Sequence, residues 1–145
     1  MNKYALVLAA GKGTRMKTKL PKCAFPILKK PMIEYIIESV EASTIDETCV
    51  VVGHQRKVIE DILNGRVSFA YQEKQLGTGH AAMAAEGILA EKEGTTLILL
   101  GDMPLIDQTT IDNILSTHEK LGNDLTVVTT NFNDPMGYGR IIRDK

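Results

Sequence analysis

Tyr4-Ala5-Leu6-Val7-Leu8-Ala9-Ala10-Gly11-Lys12-Gly13-Thr14-Arg15-Met16 decides how the rest of the chain is read. The unbroken apolar run from Tyr4 to Ala10 ends abruptly in glycine, the pattern of a buried strand delivered into a turn. Downstream, Pro31 suits the first turn of a helix, and Met32, Ile33, Ile36, Ile37 and Val40 recur at helical spacing. Thr48–Val52 reads as a β-branched strand closed by Gly53, residues 57–63 as a helix ended by Asn64-Gly65, and residues 67–71 as a short strand. An Ala-rich helix is expected over residues 80–90 and a buried strand over residues 96–100. A helix follows over residues 109–121, closed by Gly122, with Ile111, Ile114 and Leu115 inward. Further strands are expected at residues 125–130 and 139–143. Strands alternating with helices imply a doubly wound, mostly parallel α/β sheet, whose ligands bind at the carboxyl ends of the strands.

A chain of 145 residues, 43% apolar and 24% charged, suits one soluble domain with a single core. No apolar run approaches the length of a membrane span, and no cleavable signal pattern precedes the first strand. Cys23 and Cys49 sit in unlike contexts and read as reduced thiols of a cytoplasmic protein. The net charge of −1 hides an asymmetry. Residues 1–33 hold eight basic residues and no acid, while nine basic and eighteen acidic residues follow, so +8 is joined to −9. A solvated basic face is one reading of this run. Nucleic acid would require an extended basic footprint, which the acidic remainder does not offer. A local polyphosphate site fits the lysines that flank the glycine turn.

Three further stretches carry chemistry. Small residues from Leu8 to Gly13 let backbone N–H groups approach phosphates, and Arg15 and Lys22 place charge beside them. The turn is neither the dinucleotide fingerprint, since Met16 stands at the third glycine, nor the common phosphate loop, since Gly13 follows Lys12 and Leu6 precedes. Asp102 lies just past the strand of residues 96–100, where a hard divalent cation is held with phosphate oxygens as its other ligands. The alternative for Asp102 is an Asp opening the turn before Pro104.

The run LAAGKGTRM…PK resembles the signature of the sugar-1-phosphate nucleotidyltransferases. Its short spacing from Arg15 to Lys22 is similar to that of the UDP-N-acetylglucosamine pyrophosphorylases. Gln72 with Gln75-Leu76-Gly77-Thr78-Gly79-His80-Ala81, then Gly101-Asp102-Met103-Pro104-Leu105, then residues 134–140 (DPMGYGR) agree in order along the chain. The resemblance implies a Rossmann-like nucleotidyltransferase fold. It also implies uridylyl transfer from UTP to N-acetylglucosamine-1-phosphate, giving UDP-N-acetylglucosamine and pyrophosphate for cell-wall precursors.

It assigns catalytic roles to Arg15 and Lys22, and substrate contacts to Leu8, Ala9, Ala10, Gly11, Gly13, Lys22, Gln72, Gly77, Thr78, Leu100, Gly101, Asp102 and Gly139. Asp102 becomes a Mg²⁺ ligand. Gln72 suits uracil because a carboxamide donates and accepts side by side. His80 reads as a packed or capping histidine, and His54 and His118 carry no signal. Leu100 stands where some members have Tyr, and Lys29 where a Gly is often found.

In this family the nucleophile is a phosphate oxygen already ionised at neutral pH, so no Ser, Cys or His base is demanded. Cys23 reads as an incidental thiol beside Lys22. The resemblance further implies a chain cut short after residue 145, with the rest of the sugar site and a second metal ligand beyond it. It places there also, in many relatives, a C-terminal β-helix acetyltransferase domain with trimer contacts. The residues present are expected to form a nucleotide-binding part with little turnover, monomeric or weakly dimeric. Two other readings stay open: another sugar-1-phosphate or molybdopterin nucleotidyltransferase of the same fold, and a nucleotide-binding module without turnover.

Overall fold

A computed structural model describes residues 1–11, 13 and 20–143. In chain order it contains β1 (Lys3–Leu8), a 3-10 turn (Lys22–Ala24), β2 (Pro26–Ile27), β3 (Lys30–Pro31), α1 (Met32–Glu41), β4 (Glu47–Val52), α2 (Arg56–Ile62) and β5 (Ser68–Tyr71). Next come α3 (Thr78–Met83), α4 (Glu86–Leu89), β6 (Thr95–Leu100) and α5 (Gln108–Leu121). The sheet has the order β5-β4-β1-β6, and its strand pairs are parallel. The α/β architecture expected from the alternation of strands and helices is the one found.

β1 lies inside the sheet, and every side chain after Lys3 is buried. Its alternate residues serve two cores, as a strand's period of two requires. Ala5 and Val7 face Ile33, Ile36 and Ile37 of α1, Ile59 of α2, and Ile111 and Leu115 of α5. Leu6 and Leu8 face the other way, with Cys49, Val51 and Ala70, toward Ala81 and Ala85. From β1 the chain lays β4 and β5 to one side, then returns across the second face to place β6 on the other side of β1. The strand order therefore reverses between β1 and β6, where such sheets bind ligands. Leu8 pairs with both Val51 and Leu100, so the three strands end at one level.

The helices begin and end where local chemistry allows. Pro31 precedes α1 in an extended conformation, and Met32, Ile33, Ile36, Ile37 and Val40 then form a buried stripe. Asp107 caps α5 by accepting from the Thr110 N–H at 2.8 Å, and Gly122 closes the helix at φ 61°.

Several expectations fail. The single helix expected over residues 80–90 begins earlier, at Thr78, and is broken into α3 and α4. At the break the Ala84 and Ala85 N–H groups donate to the Ala81 and Ala82 carbonyls, three residues back, while Ala85 is pressed against the sheet. The strands expected at residues 125–130 and 139–143 are unpaired, and Leu125, Val127, Val128, Ile141 and Ile142 are exposed. β-branched composition favours extended backbone but names no ladder partner. The first segment is instead tied locally, through Thr126 Oγ1, to His118 Nδ1 at 2.9 Å and Asn123 Nδ2 at 3.2 Å.

The β2–β3 hairpin is not signalled by its turn residues. Leu28 and Lys29 occupy its tip at φ 48° and 71°, left-handed values that normally select Gly or Asn. Lys29, to which sequence reasoning gave no role, thus stands at a position with a backbone reason for glycine. Lys29→Gly should stabilise the chain by roughly 0.5 kcal/mol, relief of the left-handed strain outweighing the added unfolded-state entropy. A denaturant midpoint that falls in this variant would contradict the turn assignment.

Candidate active site

The strand ends meet at a cleft of about 390 Å³. From β1 and its turn come Leu8, Ala10 and Gly11; from the 3-10 turn, Lys22 and Cys23; from the segment after β5, Gln72, Gln75, Gly77 and Thr78; from the end of β6, Leu100 and Asp102. Residues separated by nearly the length of the sheet-forming chain are thus brought together by strand register. Ala9 does not line this cleft; it is buried with the α1 side of the core. Gly139, on the exposed final stretch, does not line it either, whereas Arg15 lies outside the described residues.

Two glycines set the spacing of the charged groups. Gly101 donates to the Leu8 carbonyl at 3.0 Å, and a Cβ there would stand 3.0 Å from Ile33 Cδ1 and 3.1 Å from Cys23 Sγ. That close approach draws the end of β6 over the end of β1 and presents Asp102 to Lys22. Gly13, at φ 59°, lies against Lys22 so closely that a Cβ would come within 2.8 Å of the lysine's own Cβ. Lys22 Nζ donates to Asp102 Oδ2, with both side chains partly open to solvent.

Cys23 forms part of the floor. Burial pushes its thiol up to about 12, Asp102 adds to the rise, and Lys22 opposes it. A thiol held protonated is a poor nucleophile and a poor metal ligand. Among the described residues no three His, Cys, Asp or Glu side chains gather to hold a metal. What the cleft offers a hard cation is one carboxylate with room for phosphate oxygens, a set that fits Mg²⁺ and that ion's usual mode of binding.

Gln72 is the buried polar side chain of the described core, 4% exposed. Its N–H donates to the Val52 carbonyl at 2.8 Å, and its side-chain Nε2 lies 3.2 Å from the Gly77 carbonyl and 3.0 Å from His80 Nδ1. Gln75 Nε2 donates in turn to the Gln72 carbonyl at 3.3 Å. Gln75 and His80 were both legible in the block of residues 75–81, but only a buried carboxamide seeking partners gives them work. Across Gln72 and Gln75 a second hollow, about 440 Å³, opens at the ends of β4 and β5. Its Arg56 is already engaged, 4.7 Å from the Tyr71 ring centre and 3.4 Å from Glu73. The chemistry therefore concentrates in the first cleft.

Comparison with known proteins identifies the family. A family model described as the MobA-like NTP transferase domain matches residues 5–145. The Bifunctional protein GlmU of Acholeplasma laidlawii is 55% identical over 145 residues, all of this chain and 32% of that protein. The GlmU of Thermoanaerobacter pseudethanolicus is 51% identical over 140 residues, 97% of this chain and 30% of its own length. The chain spans about a third of the length of these curated relatives. Among solved structures, a nucleotidyl transferase from Methanothermobacter superposes with a TM-score of 0.69 at 24% identity, covering 79% of this chain and 57% of that one. A UDP-glucose pyrophosphorylase complexed with UDP-glucose gives 0.65 at 24% identity, covering 84% and 55%. Both likenesses speak to the fold. With the family pattern running from β1 to the final residue, the chain belongs to the MobA-like NTP transferase domain family.

Proposed function

We propose that this chain is the nucleotide-binding part of a uridylyltransferase that joins UTP to N-acetylglucosamine-1-phosphate, forming UDP-N-acetylglucosamine and releasing pyrophosphate. The observation that carries the reading is the convergence of Gln72, Lys22 and Asp102 on one cleft at the sheet's switch point. A buried carboxamide at one side suits a base, and a cation–carboxylate pair at the other suits a metal-bound triphosphate. The GlmU relatives, at about half identity, support the same assignment.

In the reaction an oxygen of the sugar phosphate forms a bond to the α-phosphorus of UTP, and the bond to the β-phosphate's bridging oxygen breaks. The nucleophile enters already ionised, so the chain's task is alignment and charge compensation. Leu8, Ala10 and Gly11 line the phosphate path. Lys22, paired with Asp102, would turn to a phosphate oxygen of the triphosphate, and Asp102 is the carboxylate that would hold Mg²⁺. When bound, Mg²⁺ supplies positive charge to the phosphate oxygens. Gly77 and Thr78 flank the base, and Leu100 and Gly101 form the wall between base and phosphates. Arg15 is assigned to the phosphates from its place in the motif.

A second reading, a nucleotide-binding module without turnover of its own, is favoured by one observation: Gly139, the residue expected at the sugar, does not line the cleft. A pyrophosphate-release assay with UTP and N-acetylglucosamine-1-phosphate separates the two, comparing this chain with a protein of the relatives' full length. Low turnover by this chain beside a fast full-length protein fits the first reading, with the chain as its nucleotide part.

Lys22→Ala in the full-length protein should lower synthesis by about 10²–10³ with the melting temperature unchanged, because a half-exposed ion pair contributes little to stability. An unfolded variant or unaltered turnover would return Lys22 to a surface role. Asp102→Asn should keep nucleotide binding while abolishing its enhancement by Mg²⁺, measured by calorimetry of UTP with and without the ion. An unchanged enhancement would remove Asp102 from the metal site. Cys23 should resist alkylation at pH 8 in the folded chain and react on unfolding, since the thiolate fraction is negligible well below its raised value. Rapid labelling of native Cys23 would contradict its burial.

A further inference from the structure

Gln72 has two amide hydrogens and one amide oxygen with which to meet a ligand. Its amide nitrogen faces the Gly77 carbonyl at 3.2 Å, and a carbonyl only accepts, so this end of the carboxamide is the NH₂ end. The same nitrogen lies 3.0 Å from His80 Nδ1. With one hydrogen given to Gly77, the other points at the imidazole, so Nδ1 is the bare, accepting nitrogen and the ring's proton is on Nε2. Both donors of Gln72 are thereby spent inside the protein. Its Oε1 takes part in none of these bonds, and no buried side-chain N or O among the described residues lacks a partner, so Oε1 is open to the hollows that Gln72 lines. The sequence reading let this carboxamide donate and accept side by side; the geometry leaves it only the acceptor.

We propose that His80 is a positioning residue for base selection: with the Gly77 carbonyl it holds the Gln72 amide so that only Oε1 meets the base, admitting a pyrimidine whose ring nitrogen carries hydrogen and repelling one whose ring nitrogen is bare. Uracil is of the first kind and cytosine of the second. In both bases the ring nitrogen is flanked by exocyclic groups, and a carboxamide free to flip would suit either. The discrimination resides in the clamp, because Gln72 alone has no preferred face. His80 never touches the nucleotide in this account. It acts from the first turns of α3, whose Ala81 packs on the sheet and so holds the ring in place. The inference rests on the uridine reading above and deepens it.

The test is a nuclear magnetic resonance titration of the 145-residue chain with UTP and with CTP, a method that measures weak binding directly. The unmutated chain, H80L and H80N are compared; Leu removes the acceptor, whereas Asn can place a carbonyl oxygen near the position of Nδ1. The ratio of the CTP to the UTP dissociation constant should fall about tenfold in H80L, the scale of one hydrogen bond gained or lost, and should be kept in H80N. Equal weakening of both nucleotides in H80L, with the ratio intact, would assign His80 a merely structural role and overturn the proposal. An unmutated chain with no preference for UTP would overturn the uridine reading and this inference together, whereas a preference that survives H80L overturns only the inference. Should H80L fail to fold, the nitrogen spectrum of His80 in the unmutated chain decides. A protonated Nε2 and a bare Nδ1 support the clamp, and a proton on Nδ1 refutes it.

Discussion

Everything at the cleft depends on β1 being hydrogen-bonded along both edges and buried on both faces. A strand so placed has no freedom to slip, because a shift of one residue would exchange Ala5 and Val7 with Leu6 and Leu8 between two differently sized cores. Large aliphatic side chains from α1, α2 and α5 fill one side, and alanines of the α3–α4 segment, with Ile88 and Leu89, close the other. Fixed register puts the last residues of β1, β4 and β6 at one level. The turns that leave them then have no choice but to share a cleft. The site is in this sense a by-product of strand pairing, to which a few side chains give chemical character.

Those side chains are poised by satisfying one another. Lys22 and Asp102 pair across the gap that Gly101 narrows, and Gln72 places its donors on Gly77 and His80. The two groups behave differently. The ion pair is half-exposed and exchangeable, so a triphosphate and a cation can each take one partner at small cost. The carboxamide is buried, and breaking its bonds would strand polar atoms away from water. In the proposed reading, charge is thus movable on the phosphate side, while hydrogen-bond polarity is held on the base side. Cys23 beneath the ion pair adds no reactivity, since burial keeps its proton in place.

Much of this was legible in the residues. The run from Tyr4 to Ala10, the stripe from Met32 to Val40 and the β-branched strand at residues 48–52 each carry their own periodicity, and long periodic segments survive into the fold. Leu8, Lys22, Gln72, Gly77, Thr78 and Asp102 were nameable from their motifs, and they gather at one cleft. What the residues withheld was relational. Leu28-Lys29 carries none of the usual hairpin residues, so its turn is imposed by the packing on either side. Residues 125–130 have a strand's composition, but composition holds no information about a partner. Ala9 has its place in the motif, but its side chain follows the strand's alternation into the core. His80 sits on an apolar helix, where a histidine normally packs, and only the carboxamide opposite it gives the ring a polar task.

The second face of the sheet has a further consequence. Its cover is the thinner one: Ala81 and Ala85 are small, Ile88 and Leu89 are only partly buried, α3 and α4 are short, and Ile98 and Leu100 on β6 stay 52% and 41% exposed. Little apolar area is lost when such a layer lifts, so its opening is easier than that of the aliphatic face carrying α1 and α5. Amide hydrogens of residues 77–90 will therefore exchange with solvent before those of β1. A nucleotide that bridges the two sides would draw this layer down onto the sheet. Part of its binding energy would then be spent on ordering α3, and affinity would reflect the stability of that layer as well as the contacts made.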